Sequence, residues 1–228
     1  MSFAMTAKKT PTEIVIVLHG LANSRLNMWR QSRVLKQAGY AVADWTYNTL
    51  KGGMLEQMER LEQRLPEVSG YSKVHGVGHS LGGLMLRGIF ARHAATLPLG
   101  RLVMQGSPNQ GAGIVNRHRW LFGQGPLNRQ IVQDLAEGSE AIATLGIPPM
   151  EIGVIAGVHR FNLINPFTWL NTLKLGDEPH DGTVEAKNTR VPGMTDYLEL
   201  PVNHVRLPFH RDVVQASLRF LQTGKFRP

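Results

Sequence analysis

The chain contains no cysteine. That excludes disulfides and thiolate metal sites, and it fits a reducing compartment. It also lacks any uninterrupted stretch of about 18 apolar residues, so no part of it is expected to span a membrane. Met1 to Thr12 carries Lys8 and Lys9 behind a few apolar residues, with no apolar run after a basic start, and is expected to be no secretory signal. A soluble, cytoplasmic protein is the expectation. Long runs of like charge are missing too. The formal charge is +8, from 25 basic and 17 acidic side chains, a balance that attracts nucleic acid or anionic membrane surfaces. The cations are spread along the sequence and no nucleic-acid motif accompanies them. They read as a solvated surface with a weak preference for anionic ligands, and no nucleic-acid partner is expected. Internal repeats and low-complexity segments are absent. A chain of 228 residues buries roughly 70% of its unfolded surface, enough for a full sheet covered on both faces, and one domain over 1–228 is expected.

What is present centres on Val74-His-Gly-Val-Gly-His-Ser-Leu-Gly-Gly83. It reads as a buried strand, a sharp turn at Ser80 and a helix just beyond. Gly78-x-Ser80-x-Gly82 is the nucleophile-elbow pattern, in which small neighbours allow a strained turn to lift a serine clear of the sheet. The first helical turn supplies unpaired N–H groups and a positive dipole end, both suited to a developing oxyanion. A plain glycine-rich turn of a nucleotide-binding fold is the competing reading. A dinucleotide fingerprint needs glycine at 81 after Gly76 and Gly78, where Leu81 stands, and no Gly-Lys-Ser/Thr follows.

Around this stretch, strands and helices alternate, which points to a mostly parallel sheet with helices on both faces. Glu13 to Leu18 is a continuous apolar run and ends in His19-Gly20-Leu21, where the N–H of Leu21 is placed as a second oxyanion donor. Asn23 or Ser24 caps a helix that stops at Gly39. A strand over 41–47 follows, then a helix with Leu55, Met58, Leu61 and Leu65 on one face, ending before Pro66. The helix after Ser80 runs to about Ala95, and Arg101 to Gln105 is a further strand. From 108 to 150 the pattern loosens, with glycines around Trp120-Leu121-Phe122 and a short helix near 128–137. That stretch reads as an insertion over the sheet's carboxyl edge. Residues 152–156 and 196–200 are strands, 161–175 an irregular apolar loop, and 209–221 a closing helix that contains His210.

A serine nucleophile needs a base oriented by a carboxylate, and in this architecture the order along the chain is Ser, acid, His. Asp181, in His180-Asp-Gly-Thr-Val184, follows the 152–156 strand. It is favoured over Asp177, although Asp-Gly also serves simply as a turn. His204, in Pro201-Val-Asn-His204, leaves the last strand and is favoured over His210. His75 and His79 are four apart but lie on a strand and turn without the Glu of His-Glu-x-x-His, so no metal site is expected there.

The chain resembles small bacterial α/β-hydrolases related to triacylglycerol lipases and PGAP-like esterases. The resemblance rests on Leu18-His-Gly-Leu21, Gly78-His-Ser-Leu-Gly-Gly83, Pro108-Asn-Gln-Gly111, Asp181-Gly-Thr-Val184 and Pro201-Val-Asn-His204. It implies the α/β-hydrolase fold, ester hydrolysis without cofactor, Ser80 as nucleophile, Asp181 as acid and His204 as base. The family often places serine before the histidine, where this chain has Asn203.

The expected function is therefore carboxylic ester hydrolysis through an acyl-enzyme, with Leu21 and Leu81 N–H groups holding the oxyanion and an ester or lipid-like substrate. Thioester cleavage or acyl transfer by the same triad is the alternative, and a non-catalytic binding module the third reading. Trp120, Leu121 and Phe122 either form a flap against the acyl chain or pack into the core, and the two readings stand level.

Overall fold

The computed structural model describes residues 12–49, 51–117, 129–159 and 178–228. Six strands form one sheet: β1 (Glu13–Leu18), β2 (Ala41–Trp45), β3 (Lys73–His79), β4 (Leu99–Gln105), β5 (Glu151–Gly157) and β6 (Asp196–Leu200). Their order is β2-β1-β3-β4-β5-β6. Every pairing is parallel, so all carboxyl ends lie along one edge. Among the described residues the α-helices are α1 (Trp29–Gln37), α2 (Met54–Glu62), α3 (Leu81–Arg92), α4 (Gly113–Arg117), α5 (Arg129–Asp134), α6 (Glu140–Ala143) and α7 (Arg211–Thr223).

The uninterrupted apolar runs of the central strands follow from burial on both faces. Ile14, Ile16 and Leu18 of β1 join Leu102 and Met104 of β4 in a core closed by α2 and α3. Val15, Val17 and Val103 point the other way, into a core closed by Leu35 of α1 and Val213, Phe220 and Leu221 of α7. The period-2 alternation of strand side chains thus sorts one apolar run into two cores.

Several boundaries differ from expectation. β2 ends at Trp45, and α2 stops at Glu62, with Leu65–Glu67 forming a separate 3-10 turn around Pro66. α3 ends at Arg92 and β4 begins at Leu99. His210 is not inside the closing helix but at its N-cap, in extended backbone. Ser24 caps a 3-10 turn over Arg25–Met28 that leads into α1, its hydroxyl accepting from the Leu26 N–H at 3.3 Å. Asp177, the 161–175 loop and Trp120-Leu121-Phe122 lie outside the described residues.

The turn at Ser80 is as tight as the sequence pattern requires. Ser80 has φ 52° and ψ −123°, a conformation that L residues adopt only when the surroundings enforce it. A Cβ on Gly78 would sit 2.5 Å from the Cα and N of Gly83, and one on Gly82 would fall on the carbonyl oxygens of Leu18 and His19. Strand β3, helix α3 and the end of β1 therefore meet backbone to backbone, and only glycine fits between them.

Candidate active site

Ser80 stands at the carboxyl end of β3, on the central part of the sheet, and is 7% exposed. His204 reaches it from the loop after β6. Its Nε2 lies 3.1 Å from Ser80 Oγ, and its Nδ1 lies 2.6 Å from Asp181 Oδ2. Asp181 comes from the segment after β5. These three side chains, remote in sequence, form one unbroken hydrogen-bond line at the edge where the parallel strands end.

Asp181 both makes its Asp-Gly turn and meets His204. Its Oδ1 accepts the N–H groups of Thr183 and Val184 at 2.9 and 2.8 Å, which makes the turn. Its Oδ2 is left free to meet the imidazole, and its own carbonyl accepts the His204 N–H at 2.9 Å. The carboxylate is 1% exposed, and each oxygen has hydrogen-bond partners, as a buried charge requires. Gly106, at the end of β4, lies directly beneath this contact. It has φ +59°, and a Cβ there would lie 3.2 Å from Asp181 Oδ2 and 3.3 Å from His204 Nδ1. A strand-ending glycine in the sequence was the only sign of it.

His79 has a part that sequence reasoning missed. Its Nε2–H donates to the His204 carbonyl at 3.0 Å, and the two rings lie 4.8 Å apart. Burial, and next the neighbouring His204, hold the His79 imidazole well below the ordinary histidine range, so the ring is neutral with its proton on Nε2. The elbow residue before the serine thus fixes the backbone of the residue that meets the serine. Gly20 packs against the same ring, since a Cβ there would lie 2.8 Å from His79 Nδ1.

The loop after β1 is held from beneath. His19 stacks on Tyr47 with ring centroids 4.5 Å apart, and Tyr47 donates its hydroxyl to the His19 carbonyl at 2.9 Å. His19 Nε2 lies 2.9 Å from Thr46 Oγ1. Burial lowers the His19 pKa and raises that of Tyr47, so both groups are uncharged supports. Leu21 lies in this loop, and Leu81 opens α3 directly after Ser80.

The stretch after β4 is anchored by Arg87 of α3, which is buried. It donates to Asn109 Oδ1 at 2.6 Å and to the Ile142 carbonyl at 2.9 Å, and burial lowers its pKa to about 10. Among the described residues no group of three or more His, Asp and Glu side chains is placed to hold a metal ion, and no helix is long and apolar enough to cross a membrane.

A parallel sheet with an elbow serine at its centre, and an acid and a histidine from the segments after β5 and β6, defines the α/β-hydrolase fold. The solved structures agree. The mature form of a lipase from Bacillus licheniformis superposes with TM-score 0.70 at 19% identity, covering 95% of this chain and 93% of that one. A metagenomic carboxyl esterase gives 0.68 at 15% identity, covering 86% and 65%. The propeptide form of the Bacillus lipase gives 0.68 at 22% identity, and this chain spans 47% of its length and is itself 88% covered. No curated protein sequence matches the chain. The model of the palmitoyl protein thioesterase family matches residues 14–143, more than half of the chain, and this protein belongs to that family.

Proposed function

We propose that this protein is a serine hydrolase that cleaves carboxylic esters through a covalent acyl-enzyme. The observation that carries the proposal is the unbroken line from Ser80 Oγ to His204 Nε2 at 3.1 Å and from His204 Nδ1 to Asp181 Oδ2 at 2.6 Å. In this reading Ser80 Oγ attacks the acyl carbonyl as its proton passes to His204 Nε2. Asp181 holds the imidazole with its other proton on Nδ1 and stabilises the imidazolium. The oxyanion is received by the N–H groups of Leu21 and Leu81, the second lying in the first turn of α3, where the helix dipole adds positive potential. His204 then returns the proton to the leaving alcohol. Water then attacks the acyl carbon as its proton passes to His204 Nε2, and His204 returns that proton to Ser80 Oγ as the Oγ–acyl bond breaks and the acid leaves. Asn203, in place of the family's frequent serine, accepts the Arg206 N–H at 3.1 Å with its side-chain oxygen, so it shapes the turn that carries His204.

The chain acts in this reading as one catalytic unit. The assignment of Trp120, Leu121 and Phe122 to the acyl chain rests on the sequence alone, as a triplet of large apolar residues in that excursion.

The family match favours a second reading of the same site, thioester cleavage. A thiol leaving group needs less protonation than an alkoxide, so the triad serves either bond. Nitrophenyl esters from acetate to palmitate, set beside palmitoyl-coenzyme A, separate the two. Ester hydrolysis predicts the higher kcat/KM on an oxygen ester of matched chain length, and preference for the thioester would transfer the assignment. Trp120→Ala should lower kcat/KM more on octanoate than on acetate, by about fourfold for each methylene withdrawn from apolar contact. Equal loss on both esters would place the triplet in the core.

A further inference from the structure

The cations are scattered in sequence, but their excess is gathered in space. Residues 21–40 hold Arg25, Arg30, Arg33 and Lys36 and no carboxylate. Residues 201–228 hold Arg206, Arg211, Arg219, Lys225 and Arg227 against Asp212 alone. Each segment contributes +4, and nine bases from 25 and one acid from 17 leave 16 of each sign elsewhere. The whole +8 therefore belongs to these two segments. Their helices, α1 and α7, are neighbours on one face of the sheet.

Exposed apolar side chains gather at one end of that layer. Leu26 is 72% exposed and Trp29 53%, two of four large apolar side chains so exposed among the described residues, and Val205, directly after His204, is 40% exposed. Leu26 and Trp29 line an open groove with Arg25, Arg33 and Lys36. A carboxylate also stands there, Asp44, which Lys36 pairs at 3.3 Å. The 3-10 turn over Leu207–Phe209 packs against the Arg25–Met28 turn and α1, and Arg30 donates to the Phe209 carbonyl at 3.0 Å. The segment that follows β1 and the loop that carries His204 therefore make one continuous rim at the carboxyl edge of the sheet.

Large apolar groups ringed by guanidinium groups match a lipid–water boundary. The apolar groups enter the headgroup layer, and the cations meet anionic headgroups. A nucleic acid would satisfy the cations and leave the leucine in water, while an uncharged ester droplet would take the leucine and leave the arginines unused. We propose that this rim docks the protein on an anionic phospholipid bilayer, with Leu26 and Trp29 in the headgroup boundary and Arg25, Arg30 and Arg33 on headgroup phosphates. Docked so, the edge that bears Ser80 faces the membrane. The docking stands independently of the hydrolytic reading.

Sedimentation with vesicles of phosphatidylcholine, and of phosphatidylcholine mixed with phosphatidylglycerol, tests it. The protein should bind the mixed vesicles, release from them at high salt, and leave pure phosphatidylcholine unbound. Removing two charges with Arg25→Gln and Arg33→Gln should weaken partition about 25-fold, roughly fivefold per charge. Leu26→Ser with Trp29→Ser should weaken it as clearly, without change in hydrolysis of a water-soluble acetate ester. Circular dichroism verifies the fold of each variant, so the vesicle result holds even if the wild type hydrolyses nothing. Equal binding to both vesicle types would overturn the proposal. So would full retention of binding by the Leu26/Trp29 variant, or tighter binding to duplex DNA that ignores those two side chains.

Discussion

At the scale of single residues, the site is a serine in a backbone conformation it would not choose, met by a histidine held from two sides. Ser80 keeps φ 52° because β3, α3 and the end of β1 leave it no alternative. His204 is fixed through its ring by Asp181 and through its carbonyl by His79. The first contact was legible, since Ser, acid and His appear in the order the architecture demands, and the structure brings Asp181 to His204 at 2.6 Å. The second was not legible. Nothing in a Gly-His-Ser pattern reveals that the histidine's Nε2 reaches a carbonyl 125 residues away. Removal of a buried donor strands that carbonyl, at a cost of about 1–3 kcal/mol. His79→Phe should therefore lower kcat by about tenfold, with a smaller change in KM. His79→Gln, whose amide N–H can occupy the Nε2 position, should recover most of the loss. Equal damage by both substitutions would show that His79 serves packing and not the placement of His204.

At the scale of elements, the strands were the easiest to read, because burial on both faces demands unbroken apolar runs such as Ile14 to Leu18. Boundaries set by backbone detail were harder. Pro66 suggested where a helix ends, but α2 stops at Glu62 and the proline opens a 3-10 turn of its own. His210 looked like a member of the closing helix and instead caps it, a difference of backbone angle that side-chain periodicity does not encode. The glycines of α3 show how tertiary contact reverses a propensity rule. An alanine in place of a helical glycine ordinarily stabilises by up to about 1 kcal/mol. At Gly82 the added methyl would strike the Leu18 and His19 carbonyl oxygens, so overpacking of about 1–3 kcal/mol should dominate. Gly82→Ala should lower the midpoint of urea unfolding and also lower activity, since those carbonyls precede the Leu21 loop. A higher midpoint would mean that the junction is looser than the structure has it.

At the scale of the whole molecule, order and charge were the properties least visible in the sequence. Alternating strands and helices announced a parallel sheet, yet the order β2-β1-β3-β4-β5-β6 depends on which strand edges pair. The charge excess looked diffuse because α1 and α7 come from opposite ends of the chain. Buried histidines add a global pH dependence. Burial lowers the pKa of His19, His75 and, most strongly, His79; at His75 a 3.1 Å contact with Glu13 partly opposes it. The folded state then keeps these rings neutral while the unfolded chain takes up protons below about pH 6.5. Their stabilising contribution is thus present above that pH and lost as pH falls toward the folded values, at up to about 1.4 kcal/mol per pH unit for each ring. The melting temperature should fall steadily from pH 7 to pH 5, and more gently in His79→Gln. A melting temperature that stays level over that range would contradict neutral burial.

The proposed mechanism requires that Ser80 carry the acyl group. Intact-protein and peptide mass spectrometry, after rapid acid quench of the enzyme with a nitrophenyl ester, tests this most directly. One added acyl group is expected on the peptide containing Ser80 during turnover, with its loss when the ester is spent, and neither adduct nor turnover in Ser80→Ala. Ester turnover with no adduct on Ser80, or an adduct on another residue that persists in Ser80→Ala, would contradict it.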